Sequence, residues 1–150
     1  MTDDRRGWLQ ADRRPAGVDD ATVEAVGKVT EALEWVERAR GRLYDFHQMS
    51  GHADLLLGEA CDALEDAGHG EVAGRIRSEM VGRNVIEGRW TFQIVEEYDA
   101  TYWQPFREAE AAARAGLCGG APHVFESEMK DERRTEGARH HERRPEPGGA

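Results

Sequence analysis

From Ala25 onward, apolar residues recur alternately four and three positions apart: Ala25, Val29, Ala32, Val36, Ala39, Leu43 and Phe46. That spacing places them on one stripe of an α-helix, the pattern by which one helix packs on another. The phase then continues through Ser50, Ala53, Leu57, Ala60, Leu64 and Ala67. A chain that reversed direction at Ser50-Gly51 would have no reason to keep it, so the pattern predicts one helix over about residues 19–67, straight or kinked at Gly51. Gly51 and Gly58 oppose this, since each costs about 1 kcal/mol in a helix interior relative to Ala. Asp19 or Asp20 can cap the start by accepting hydrogen bonds from the free amides of "ATVEAV". "DAGHGE", residues 66–71, supplies two glycines suited to a helix end.

A second arm follows. Val72, Ile76 and Met80 lead into "VGRNVIEGRW", where Gly82 and Gly88 bracket an irregular turn. Beyond it Phe92, Val95, Tyr102, Phe106, Ala109 and Ala113 share a helical stripe, with Ile94 and Tyr98 beside it. Pro105 removes the amide bond to Thr101 and should kink this arm. The arms, 19–67 and 70–116, have nearly equal length. An antiparallel hairpin pivoting near residue 68 would use both fully, and facing residues would then have numbers adding to about 137. Leu43 would meet Ile94, Ala39 would meet Tyr98, Leu57 would meet Met80, Arg40 would meet Glu97, and His47 would meet Trp90.

The fold class expected is therefore all-α, either an antiparallel helical hairpin or a four-helix bundle. Two helices of that length, each about 70 Å, cannot cover their apolar faces on one another alone. Either two hairpins dimerise or the arms break and fold within one chain.

Composition shifts mark the flanks. Residues 1–18 read as a disordered arm carrying an isolated Trp8-Leu9 pair. Residues 19–116 form the helical bundle domain, and 117–150 read as a mostly disordered tail with room for a short helix in "VFESEMKDERRTEG". The chain carries 30 acidic and 20 basic residues, a formal charge of -10. Residues 21–116 hold 18 of the acids against 10 of the bases, which argues against a nucleic-acid partner, since phosphates are bound chiefly through Lys and Arg. The flanks repeat one small unit, Asp4-Arg5-Arg6, Asp12-Arg13-Arg14, Glu132-Arg133-Arg134 and Glu142-Arg143-Arg144, in which acids offset the arginines. The absence of a long apolar run leads to the expectation of a cytoplasmic protein with no membrane partner. Cys61 and Cys118 stand far apart with no second cysteine at ligand spacing, so both are expected to be reduced.

The densest polar cluster in an apolar-periodic run is "YDFHQMSGHADLLL", residues 44–57. At 100° per residue His47 and His52 point about 140° apart on a continuous helix, so only a break at Gly51 would let them share an ion. The enzymatic alternative is a ferritin-like or other metal-binding helical bundle drawing on His47, His52, Glu59, Glu96 and Asp99. The Glu-x-x-His pairs of such bundles are missing, and Asp66-x-x-His69 is the nearest approach. Arg83 and Arg89 in the doubled Gly-Arg of "GRNVIEGRW" are expected to pair with carboxylates such as Glu79 or Asp54.

The aromatic run on the second arm supplies the interface candidates Trp90, Tyr98, Tyr102 and Trp103. Trp103 lies off the Tyr102 stripe and shares a face with Glu96 and Asp99. No catalytic residue and no cofactor is expected. The reading is a small helical interaction or scaffold protein acting through an aromatic-rich surface, as a homodimer and with room for a further protein partner.

Overall fold

The structure, a computed structural model, describes residues 13–143; Trp8-Leu9 of the expected arm lies outside the described residues. The chain is all-α. Helix α1 runs over Asp20–Asp66, α2 over Gly70–Glu79, α3 over Thr91–Tyr98, α4 over Gln104–Cys118 and α5 over Val124–Arg133, and a π-helical turn, Asp99–Trp103, joins α3 to α4. Among the described residues the β-pairing is confined to an isolated bridge between Ile86 and Arg89. No helix of the described residues is long and apolar enough to cross a membrane.

Helix α1 passes through Ser50-Gly51 without interruption. A Cβ at Gly51 or Gly58 would meet nothing within 4 Å, so neither glycine marks a close approach. Asp19 caps the start: its Oδ1 accepts the Thr22 amide at 2.8 Å, and hydrogen bonding from Thr22 holds the Asp19 carboxyl below its ordinary value. At the other end Gly68 takes φ +87°, and the His69 amide donates to the Leu64 carbonyl at 2.8 Å. This six-to-one bond satisfies a carbonyl that the helix leaves free.

The described residues divide into two compact units, Val36–Pro105 and the pair of segments 13–35 and 106–143. Within Val36–Pro105 the returning segment runs antiparallel to α1. Asp62 pairs with Arg77 at 2.7 Å, Asp54 accepts the Gly82 amide at 2.7 Å, and His47 Nδ1 lies 2.6 Å from Thr91 Oγ1. Further on, Arg40 pairs with Asp99 at 2.7 Å and Glu37 accepts the Trp103 indole N–H at 2.9 Å. The partner numbers add to between 136 and 140, so the facing rule of about 137 drifts by up to three residues. The predicted irregular turn forms, with Gly82 and Gly88 both at φ +74°.

Pro105 deforms the second arm in a specific way. The chain widens into the π-turn immediately before it, and the Gln104 amide reaches back five residues to the Asp99 carbonyl. One extra residue per turn relieves the clash a proline ring makes with the preceding turn, so the helix continues instead of ending.

The covered side of α1 is one residue away from the predicted stripe along half its length. Val29, Val36, Leu43, Ser50, Leu57 and Leu64 are buried or half-buried as the spacing implies. Their alternates Ala25, Ala32, Ala39, Phe46, Ala53, Ala60 and Ala67 are exposed, and Val26, Leu33, Arg40, His47, Asp54 and Cys61 take the inward places. The physical reason is area and partnership. Valine and leucine remove more apolar surface from water than alanine, and the three polar residues each find a partner on the returning segment.

In the other unit, Val23, Ala121 and Val124 form a small apolar cluster with Val18 packed against it. The segment expected as a tail thus supplies α5 and two of these three residues. Arg14 fastens the entry to α1: its guanidinium forms a bidentate pair with Glu128 of α5, at 2.8 and 2.7 Å, and reaches Asp20 at 2.6 Å. Further along, Asp131 accepts from both Arg134 and Arg143, at 2.8 and 2.7 Å. Three of the acid-Arg-Arg units therefore place an arginine in these pairs.

Candidate functional site

Three polar residues one heptad apart, Arg40, His47 and Asp54, lie on the covered line of α1 within Val36–Pro105. Each is half-buried and each meets a different chemical group. Arg40 makes two parallel bonds to Asp99, Nε to Oδ1 at 2.7 Å and Nη2 to Oδ2 at 3.0 Å. Its guanidinium also lies 3.9 Å from the Trp103 ring centroid and 5.0 Å from that of Tyr44. The hydrogen bonds to Arg40 hold the Asp99 carboxyl below its ordinary value, and Asp99 in turn raises Arg40. Trp103, bonded to Glu37 and stacked on Arg40, covers the ion pair. The Tyr98 ring lies 5.5 Å from that of Tyr102, and burial pushes the Tyr98 hydroxyl up.

The four aromatic candidates therefore separate into two pairs. Tyr98 and Trp103 are half-buried beside α1, whereas Trp90 and Tyr102 are 55% and 50% exposed. Trp90 packs edge-on against Phe92, centroids 5.3 Å apart, and Gln93 Oε1 accepts the Trp90 amide at 3.0 Å, capping α3. A shallow cleft of about 220 Å³ lies beside Trp90, lined by Ser50, Asp54, Gly82, Arg83, Asn84 and Thr91 among others. Of the doubled Gly-Arg arginines, Arg89 pairs with Glu97.

The metal candidates are dispersed by the continuous helix. His47 is engaged with Thr91 and Asp99 with Arg40, while His52, Glu59 and Glu96 are exposed. Among the described residues no group of three or more His, Cys, Asp or Glu side chains is placed to hold a metal ion. Cys61 and Cys118 are both buried and free.

Sequence reasoning placed Arg40 opposite an acid but two residues early, at Glu97 instead of Asp99. It missed Glu37 and the role of Asp54 as acceptor for the turn at Gly82. It also missed Glu110, the one charged residue buried among the described residues, at 5% exposure. Glu110 accepts from Arg114 at 2.9 Å and from the Thr30 hydroxyl at 3.0 Å, and the bond from Arg114 holds its carboxyl below the ordinary value. The available signal was the i, i+4 spacing of Glu110 and Arg114.

No family model, no curated protein and no solved structure matches the chain.

Proposed function

We propose that the protein is a small helical interaction module that works as a homodimer and presents an aromatic-rich surface to partners. The observation that carries this reading is the balance of apolar surface. Among the described residues nine hydrophobic side chains are buried, none larger than valine, whereas sixteen of valine size or larger stay exposed, including Trp35 at 60%, Met49 at 64%, Leu56 at 55%, Ile86 at 53% and Trp90 at 55%. Isolated exposed apolar residues are ordinary on a protein surface, but so many beside so small a core mark surfaces that bind. The unbroken path of α1 through Gly51 supports the same reading, because an uninterrupted helix cannot fold back to cover its own faces.

Polar interactions inside Val36–Pro105 add to it. Arg40 with Asp99, His47 with Thr91 and Asp54 with Gly82 tie the returning segment to α1 at three levels, so the module is pinned in one register and its outer surface is a defined shape. Sedimentation equilibrium over a hundredfold concentration range tests the reading. A mass of two chains is expected, and a single-chain mass at the highest concentration would refute it.

A further inference from the structure

Helix α1 carries a second regular row besides the line it packs inward. Ala39, Arg42, Phe46, Met49, Ala53, Leu56, Ala60 and Ala63 recur three and four apart, and every one is exposed. Phe46, Met49 and Leu56 are 39%, 64% and 55% exposed. At 100° per residue the row, one residue out of step with the covered line, lies about 100° around the helix from it. It extends over more than three heptads, the length over which a sustained seam identifies helix-on-helix pairing.

We propose that this row is the seam of the homodimer: α1 of one copy packs antiparallel on α1 of a second, about a two-fold axis at Gly51. The inference rests on the homodimer reading and specifies its surface. Three features favour a second copy over any other occupant. The alternation of three and four is what a helix offers to a helix. The row is also self-complementary: when numbers add to 102, Phe46 faces the partner's Leu56, Met49 faces the partner's Ala53, and Ala39 faces the partner's Ala63. Large side chains meet at the middle of the seam, and alanines close both ends, letting the backbones approach. Finally, the charges permit it. The segment around α1 is strongly acidic, yet the row contains no acid, and its one cation, Arg42, falls beside the partner's Glu59 while holding its own Asp45 at 3.4 Å.

The test uses the full chain with one added thiol. Cys61 and Cys118 are 0% and 1% exposed and stay silent to a short bismaleimide. His52→Cys, one residue from the axis, is expected to crosslink to itself rapidly as a covalent dimer. Leu55→Cys, on the far side of the helix and 70% exposed, should not. Met49→Glu combined with Leu56→Glu should weaken the dimer at least about tenfold with unchanged helical circular dichroism, because four carboxylates would be forced into an apolar seam. A wild type that is monomeric gives the row to a different occupant and overturns both proposals. A dimer that survives the two glutamates and crosslinks no faster at 52 than at 55 overturns the seam and leaves the homodimer standing elsewhere on the surface. Should the glutamate variant unfold, the crosslinking comparison decides alone.

Discussion

Replacing Asp99 by Asn tests the central ion pair. The carboxylate accepts two bonds from Arg40, at 2.7 and 3.0 Å, and the two side chains are only 25% and 24% exposed. Bonds to charged groups contribute roughly 1.5–3 kcal/mol when formed away from bulk water. Partial exposure reduces this, because the freed guanidinium still reaches water and keeps its stack on Trp103. The expected cost of Asp99→Asn is therefore about 2 kcal/mol at neutral pH, and a double-mutant cycle with Arg40→Gln should return a coupling of about 1–2 kcal/mol. Exposed pairs give about 0.2–1 kcal/mol. The pair also sets a pH dependence. Arg40 depresses the folded-state value for Asp99, so the stabilisation is complete above the ordinary aspartate range near pH ~4 and is lost as pH falls through the depressed value. Urea unfolding followed by circular dichroism should show wild type and Asp99→Asn converging as pH drops toward ~2. A coupling below about 0.3 kcal/mol, or a gap between the two proteins that does not narrow in acid, would refute the reasoning.

Other consequences are equally open to measurement. Asp54→Ala removes the acceptor for the Gly82 amide and should cost about 1 kcal/mol, and Gly82→Ala, forced to hold φ +74°, about 1–2 kcal/mol, both by thermal melts. Gly27→Val should loosen α5, because even a Cβ at Gly27 would sit 3.0 Å from the Phe125 Cβ; faster amide exchange over Val124–Arg133 is the readout. Glu110→Gln should destabilise by about 1–3 kcal/mol at neutral pH, and by progressively less as pH falls through the depressed Glu110 value. Both native thiols should resist an aromatic disulfide reagent in buffer and react promptly in denaturant; reaction of either in buffer contradicts their burial.

How much of this was legible beforehand differs from element to element. The start of α1 was readable because Asp19 is a capping residue followed by helix formers, and its end because Gly68 can adopt the left-handed turn. The irregular turn at Gly82 and Gly88 and the disturbance before Pro105 rest equally on local chemistry. The interior was less accessible. A stripe of alanines looks like a packing seam by spacing alone, yet those alanines face outward, and Arg40, His47 and Asp54 take the inward places. The stretch from Gly119 to Pro122 reads as loop because it opens on two glycines, although its Ala121 joins Val23 in a cluster more than ninety residues away in sequence.

What the sequence by itself determined is therefore the all-helical class, the caps, the turns and the antiparallel pairing to within about three residues, because these follow from backbone preference and apolar spacing. Which face of α1 points inward was decided only in the tertiary structure. Two rows with nearly the same period run along that helix, and spacing cannot rank them. The choice depends on partners distant in the chain: Asp99 for Arg40, Thr91 for His47 and the Gly82 amide for Asp54. A half-buried polar group is tolerated where such a partner meets it and is costly elsewhere, and that physical condition exists only once the second arm has folded against the first.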